Sequence, residues 1–334
     1  YHLCTAGVWV DCCRKWAYTQ KRGATCYVQT WHGFPLKRIE KDAIDALPAD
    51  YIRAAKKDSA MADVFLSNSR FLTEIYRRAF WFAGEILEYG FPRNDLLFGK
   101  HPEVAEKVRE ALGIPSGKRL ALYAPTFRKD NGLSAYDMDY ARCAKALGQR
   151  FGGEWLLLAK LHPNIAARAG ELRLDPQVVR NASDYPDIQE LYVACEALFT
   201  DYSSVMFDYM NTQKPCFLYV NDIAAYKDDR NFYFDLDRLP YPRAEDNDAL
   251  EQAVLGFDEA FQAQALGRPG PVNLDSEPLA SFSTGTRVTF PRSTSGWASM
   301  TAKMRSAPAM ADSREVICIE IWFTGCVTCR LYCK

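Results

Sequence analysis

The stretch ALFTDYSSVMFDY, residues 197–209, combines an apolar strand, a polar turn and a helix-length segment. The run Ala197–Thr200 predicts a buried strand, and Ser204–Tyr209 predicts the helix after it. Asp201 and two serine hydroxyls lie between them, at the strand end where open α/β sheets bind ligands. Free backbone N–H groups and the helix dipole favour an anion there. Asp201, Ser203 and Ser204 are therefore candidate phosphate-binding residues, although helix capping explains Ser203 equally well.

The same alternation of short apolar runs and amphipathic segments continues over residues 25–260 and predicts βα units around parallel sheets. Further strands are predicted at Cys26–Thr30, Val64–Ser67, Ile86–Glu88, Leu120–Tyr123, Trp155–Lys160, Val178–Arg180 and Cys216–Tyr219. Further helices are predicted at Arg70–Trp81, Pro102–Ala111, Tyr140–Arg150 and Asp248–Phe261.

A turn-rich segment, GIPSGKR, separates two halves of the pattern. It predicts a first lobe over residues 1–98, a linker over 99–117 and a nucleotide-binding second lobe over 118–262. The first lobe begins as though in mid-domain. Residues 263–334 lack periodicity and are interpreted as disordered or, with some preference, as frameshifted sequence. We assign that segment no function.

The amino-acid composition limits the classes of function that the chain can have. The 334 residues suit two domains, and a net charge of −1 gives no indication of nucleic-acid binding. No apolar run reaches the length of roughly 18 residues that a spanning helix needs. Most of the 11 cysteines are scattered, as is typical of reduced thiols, and the single CxxC at Cys326 and Cys329 lacks a partner pair. We expect neither a metal nor a cofactor.

Two histidines follow predicted strands, one in each lobe. His32 comes after Cys26–Thr30, and His162 comes after Trp155–Lys160. A histidine so placed is a candidate for proton transfer or for stabilising charge. Arg128 lies just past the first strand of the second lobe, where a guanidinium can bind a pyrophosphate, although an arginine in a loop is usually only solvated. Lys160 ends the strand before His162, a place that packing of its aliphatic stem also explains.

Two DxD strings, residues 137–139 and 235–237, resemble Mg²⁺ ligands but follow no clear strand, so they are interpreted as surface carboxylates. The sequence contains no P-loop, GxGxxG, HExxH or GxSxG motif. Their absence argues against the NTPase, dinucleotide-binding, zinc-protease and serine-hydrolase classes.

Several motifs together resemble the CDP-glycerol glycerophosphotransferase family of teichoic-acid synthesis. In chain order they are WHGFPLK (31–37), NSRF (68–71), EYGFPRND (88–95), LYAPTFR (122–128), KLHP (160–163), FTDYSSVMFDY (199–209) and RNFYFD (230–235). The resemblance covers roughly residues 1–260. It implies an α/β fold of GT-B type, with two Rossmann-like lobes and parallel sheets facing a central cleft.

The resemblance implies transfer of glycerol phosphate from CDP-glycerol to the terminal hydroxyl of a lipid-linked polyol-phosphate acceptor, with release of CMP. His32 would be the general base. His162, Arg128, Ser203 and Ser204 would stabilise the departing charge, with Lys160 as a further candidate. Asp201 would orient His162 or bind a polyol hydroxyl.

The expected location is the cytoplasmic face of the membrane, through peripheral contact of a basic and aromatic first-lobe surface. Three alternatives stay open: a CDP-ribitol or other polyol or sugar donor, a catalytically dead binding protein, and primase rather than polymerase action.

Overall fold

The computed structural model describes residues 2–126, 128, 133–162, 165, 168–172, 174–223 and 232–267. Its strands form two parallel sheets, one of four strands and one of six. The predicted α/β class is confirmed, and the two sheets with their helices are consistent with the two-lobed GT-B type.

The first sheet contains β1 (Val8–Asp11), β2 (Cys26–Gln29), β3 (Val64–Ser67) and β4 (Glu85–Glu88), in that order. Around it lie α1 (His2–Thr5), α2 (Ala49–Met61) and α3 (Arg70–Ala79). The hydroxyl of Ser69 accepts a hydrogen bond from Leu72 N and caps α3. Strands β2 and β3 are buried throughout, as expected for the centre of a parallel sheet.

The second sheet contains β5 (Lys118–Tyr123), β6 (Glu154–Ala159), β7 (Val179–Asn181), β8 (Ala197–Thr200), β9 (Cys216–Tyr219) and β10 (Arg243–Ala244). Its spatial order is β10-β9-β8-β5-β6-β7. Numbered within the lobe this is the Rossmann order 3-2-1-4-5-6. The direction of winding therefore reverses between β5 and β8, and their carboxyl ends form the crevice where such sheets bind ligands.

The remaining helices are α4 (Pro102–Leu112), α5 (Tyr140–Phe151), α6 (Ile188–Ala194), α7 (Val205–Tyr209), α8 (Asn247–Leu255) and α9 (Glu259–Ala265). Helix α4 starts at a proline and ends at Gly113, whose φ of 60° only glycine adopts at little cost. It lies within the predicted linker and packs against α6. The predicted lobe limits of 1–98 and 118–262 remain a proposal.

One predicted helix was wrong. The segment Asp248–Phe261 forms two helices, because α8 ends at Gly256 and the side chain of Asp258 caps a new helix. That new helix, α9, continues to Ala265, beyond the predicted lobe limit at residue 262. Strands β1 and β10 and helices α1, α2 and α6 were not predicted. Most of the tail, residues 268–334, lies outside the described residues.

Aromatic side chains from both lobes pack together. Phe34 in the first lobe lies 4.6 Å, between ring centroids, from Phe207 in α7, and Phe207 also contacts Phe234. Phe234 belongs to a segment of the second half that reaches the first lobe. In that segment Tyr233 N donates to Leu36 O, and its hydroxyl donates to Asp42.

A buried ion pair also joins the two halves. The guanidinium of Arg93 donates two hydrogen bonds, of 3.1 and 2.9 Å, to the two carboxylate oxygens of Asp208 in α7. The side chains are 4% and 10% exposed, so the charges are largely desolvated. Asn94 Nδ2 adds a third donor to Asp208 at 2.8 Å. A bidentate, hydrogen-bonded pair of this kind fixes geometry as well as distance.

Replacing Asp208 with Asn keeps the side-chain shape but leaves the Arg93 charge buried without its counter-charge. We expect the free energy of unfolding to fall by about 3–5 kcal/mol, the usual effect of breaking a buried pair. Urea denaturation measures it. The matched control is Glu74→Gln, which breaks an exposed i,i+4 pair with Arg70 and should cost at most about 1 kcal/mol. Equal small losses in both variants would contradict a structural role for the buried pair.

Candidate active site

His32 lies on a strained turn directly after β2. The preceding residue, Trp31, has a φ of 55°, which is unusual for a bulky side chain. Three contacts hold Trp31 in this conformation: Gln29 Oε1 accepts from its N at 2.8 Å, Arg93 Nη1 donates to its carbonyl at 3.5 Å, and Phe80 packs edge-on against its ring. Strain maintained by its surroundings is typical of functional sites.

The ring of His32 has a defined orientation. It stacks on Trp31 with 4.2 Å between ring centroids, and its Nδ1 is 2.8 Å from the carbonyl oxygen of Cys12. A carbonyl only accepts, so Nδ1 must carry the proton and Nε2 is left with its lone pair. The backbone at Cys12, just after β1, therefore selects the tautomer that a general base requires.

The surroundings of His32 also favour its neutral form. His32 is exposed at the surface, yet the protein groups around it partly desolvate its ring. This desolvation lowers the pKa of His32 below its ordinary value. The hydrogen bond to the Cys12 carbonyl and the charge of Glu40 oppose the shift, whereas the positive charges of Arg93 and Arg14 add to it. His32 therefore stays unprotonated, and able to accept a proton, at neutral pH.

Asp201 organises the crevice between β5 and β8. Its carboxylate, 1% exposed, accepts hydrogen bonds from the backbone N and the hydroxyl of Thr126 at 2.6–2.9 Å. It also accepts from Arg128 Nη1 at 2.8 Å. Arg128 in turn forms a bidentate pair with Asp222, at 2.6 and 3.1 Å. Arg128 is thus held by two carboxylates beside the ligand crevice, and its predicted contact with a pyrophosphate remains a prediction.

His162 lies beyond the carboxyl end of β6, next to this cluster. Its backbone N donates to the hydroxyl of Tyr136 at 3.2 Å. Burial raises the pKa of Tyr136 to about 12, and the charges of Asp201 and Arg128 are close enough to affect it as well. Desolvation lowers the pKa of His162, so its neutral form is favoured too. The structure therefore brings His162, Arg128 and Asp201 to one edge of the second sheet.

Lys160 has a positioning role in this structure. Its ammonium donates to the carbonyl oxygens of Ser183 and Tyr185 at 2.7 and 2.6 Å and so ties the end of β6 to the loop after β7. Burial lowers the pKa of Lys160 to about 8. The predicted contact of Lys160 with substrate stays a prediction.

The two serines lie where the lobes meet. Ser203 Oγ accepts a long hydrogen bond, 3.5 Å, from Val205 N, as a weak cap. Ser204 faces Gly33, the residue after His32: a Cβ built on Gly33 would lie 2.9 Å from Ser204 Oγ. Helix α7 has only five residues, so its dipole is a weaker attraction for phosphate than the sequence pattern suggested.

The two DxD strings each contribute a helix cap. Asp139 and Asp235, one from each DxD string, are exposed helix caps. Within the described ranges no three His, Cys, Asp or Glu residues cluster in a way that could hold a metal ion. Cys326 and Cys329 lie outside those ranges.

The sequence analysis missed four residues of the site: Gln29, Arg93, Tyr136 and Asp222. Arg93 had a signal in the sequence, since it follows a strand end within EYGFPRND.

Two parallel α/β lobes, with histidines and hydroxyls at their strand ends, define a transferase fold of the GT-B type. The family model described as CDP-Glycerol:Poly(glycerophosphate) glycerophosphotransferase matches residues 1–266. The chain belongs to this family, as its motifs predicted.

The names of individual relatives agree with this family assignment. The chain is 34% identical over 265 residues to a teichoic acid poly(glycerol phosphate) polymerase of Bacillus spizizenii, covering 76% of this chain and 67% of that protein. It is 36% identical over 256 residues to a teichoic acid glycerol-phosphate transferase of Staphylococcus aureus, covering 73% and 64%. The solved wall teichoic acid polymerase TagF superposes with a TM-score of 0.66 at 32% identity, covering 77% and 64%. The chain thus spans about two thirds of the length of these proteins.

The contact between Gly33 and Ser204 leads to a double-variant prediction. Gly33→Ala places a methyl group against Ser204 Oγ, and overpacking of this kind costs about 1–3 kcal/mol of unfolding free energy. Ser204→Ala removes that oxygen and leaves only Ser204 Cβ, 3.5 Å away. We therefore expect the double variant to recover most of the stability lost by Gly33→Ala, in a double-mutant cycle followed by urea denaturation. Additive losses would show that the two lobes do not touch here. Gly170→Ala, at a position with open space around it, is the control.

Proposed function

We propose that the chain transfers glycerol phosphate from CDP-glycerol to the terminal hydroxyl of a lipid-linked teichoic acid or similar cell-surface polymer, releasing CMP. Family membership and the names of the relatives support the reaction class. The observation that carries the mechanism is the hydrogen bond from His32 Nδ1 to the Cys12 carbonyl, because it leaves Nε2 as a base.

In the proposed step Nε2 of His32 takes the proton from the acceptor hydroxyl. The resulting oxygen attacks the glycerol-bearing phosphorus, and the bond from that phosphorus to the bridging oxygen breaks. The electron pair leaves with CMP. Because the pKa of His32 is lowered, the base needs no deprotonation at neutral pH.

Negative charge grows on CMP as it departs, and donors at the crevice between β5 and β8 would stabilise it. The candidates are His162, Ser203 and Ser204, with Arg128 as a fixed positive charge beside the crevice. Arg128 is already paired with Asp201 and Asp222, so its contribution would come from its field unless ligand displaces a carboxylate. Asp201 acts in this proposal by positioning Thr126 and Arg128.

The donor is the least constrained part of the proposal. Relatives named as ribitol-phosphate polymerases also match, at 28% identity over 191 and 231 residues. Relatives named as glycerol-phosphate polymerase or transferase match at 34–36%, and two named as glycerol-phosphate primases match at 31% and 27%. The higher identity to the polymerase and transferase supports CDP-glycerol as the donor. A catalytically inactive binding protein is the alternative in another class, and the organised His32 argues against it.

His32→Ala should lower turnover by about 10² or more, the usual contribution of a general base, while nucleotide affinity stays nearly unchanged. The assay is CMP release from CDP-glycerol with a glycerol-phosphate-primed lipid acceptor, and CDP-ribitol run beside it. His101→Ala is the matched control, since His101 bonds only locally to Glu103 and Phe98 among its described contacts. Near-normal turnover by His32→Ala would remove His32 from the mechanism. If the folded chain releases no acceptor-dependent CMP from either donor, the result would favour the alternative that it is a binding protein.

Peripheral contact with the cytoplasmic face of the membrane is the second part of the proposal. None of the described helices is long and apolar enough to cross a bilayer. The first lobe exposes two stacked aromatic rings, Trp16 at 56% and Tyr18 at 78%. The ammonium of Lys57 donates to the carbonyl oxygen of Ala17, which lies between these two residues in the chain. Lys56, also in α2, lies over the ring of Trp81. Aromatic rings beside lysines suit the interface of an anionic bilayer.

Among the basic residues of the first lobe, Lys56 and Arg77 are exposed and suit a test, whereas Arg78 pairs with Asp42. We expect Lys56→Glu with Arg77→Glu to reduce binding to vesicles containing anionic lipid, since each basic residue near the surface contributes about 1 kcal/mol. Co-sedimentation with vesicles measures it. Lys145→Glu, an exposed charge reversal on α5, is the control. Unchanged binding of the double variant would rule out this face.

A further inference from the structure

Two adjacent thiols lie beside the base. Cys12 and Cys13 are both partly exposed, both unoxidised, and have their Sγ atoms 3.9 Å apart. Four other described cysteines, Cys26, Cys143, Cys195 and Cys216, are buried, and Cys4 is exposed. Among the described cysteines, the pair at 12 and 13 therefore combines access with a neighbouring thiol.

The peptide bond between these two cysteines is part of the active site. Its carbonyl is the Cys12 oxygen that accepts the hydrogen bond from His32 Nδ1 at 2.8 Å. The next carbonyl, that of Cys13, accepts from Gln29 Nε2 at 3.1 Å, and the same amide holds Trp31 N through Oε1. One backbone segment thus fixes both the tautomer of His32 and the turn that carries it.

A disulfide between adjacent cysteines would disturb this segment. The sulfur atoms would have to approach to about 2.05 Å, and consecutive Cα atoms, about 3.8 Å apart, are closer than the roughly 4.4–6.8 Å usual for a disulfide. The ring so formed contains the connecting peptide group. Closing this ring requires the peptide group to reorient, so we expect the hydrogen bond between the Cys12 carbonyl and His32 to be weakened or lost.

We propose that Cys12 and Cys13 are a redox modification site that disables the general base when oxidised. The proposal rests on the proposed function of His32. The oxidant is a peroxide: each thiol loses one hydrogen, the two sulfurs form one bond, and hydrogen peroxide is reduced to two waters. A small dithiol reverses the change by thiol–disulfide exchange. Disulfides of proteins in reducing compartments are typically transient and redox-sensing, which fits this arrangement.

The tautomer of His32 provides a test that does not require activity. In protein labelled with ¹⁵N-histidine, the His32 signals, assigned by their loss in His32→Gln, should show the Nδ1–H tautomer in the reduced state. After hydrogen peroxide treatment, peptide mass spectrometry should find Cys12 and Cys13 joined and lighter by two hydrogens. The His32 signals should then shift. A joined pair with unchanged His32 signals would overturn the proposal.

Activity gives the second arm. Peroxide should lower CMP release by about tenfold or more and dithiothreitol should restore it, in keeping with the size of a general-base contribution. Cys13→Ser should resist peroxide, with Cys13→Ala in its place if the serine variant misfolds. Cys4→Ser is the matched control and should stay sensitive. If peroxide lowers CMP release equally in the wild type and the Cys13 variants, the proposal is overturned. A chain without activity before oxidation would refute the proposed function instead, and the ¹⁵N measurement would still decide whether the thiols control His32.

Discussion

The buried ion pair between Arg93 and Asp208 is the constraint on which the cleft depends. Its two hydrogen bonds fix α7, and with it Ser204, against the turn that carries His32. The same guanidinium reaches the Trp31 carbonyl, and its charge helps to keep His32 neutral. This one desolvated ion pair therefore holds α7 against the His32 turn, supports the strained backbone at Trp31 and contributes to the lowered pKa of His32.

Around that pair, most charged side chains near the cleft interact with protein groups. Arg128 is held by two carboxylates, Lys160 by two carbonyls, and Asp201 by Thr126 and Arg128. Such a site is rigid before any ligand arrives, because each side chain is fixed by a second group. Reactive groups that are held in place in advance lose less entropy when substrate binds, which is how positioning contributes to rate.

Much of the fold could be predicted because buried strands and capped helices leave local signals. Val64–Ser67, Ala197–Thr200 and Cys216–Tyr219 are strands with the predicted limits. Strand β10 has two residues, too few for any periodicity. The helix predicted over Asp248–Phe261 was divided by Gly256 and the Asp258 cap, two local features that a continuous apolar pattern concealed.

The site was predictable only in part, for a similar reason. Strand ends located His32 and His162, because chain direction decides which end of a parallel sheet they reach. The partner of each side chain depends on contacts between residues that are distant in the sequence. Arg128 and Asp222, for example, form an ion pair although 94 positions separate them. The carbonyl that selects the His32 tautomer has no side-chain signature at all.

The shared aromatic packing has a consequence for how the molecule melts and moves. Phe34 of the first lobe and Phe207 and Phe234 of the second half belong to one continuous apolar core that also includes Leu122 of β5. This shared cluster cannot be exposed to water in one lobe without opening it in the other, although each lobe also has apolar clusters of its own. The two lobes should thus lose structure in a single cooperative transition, and hinge motion between them should be small. Ligands would then diffuse into a cleft that is already formed, and would leave it without waiting for the lobes to separate.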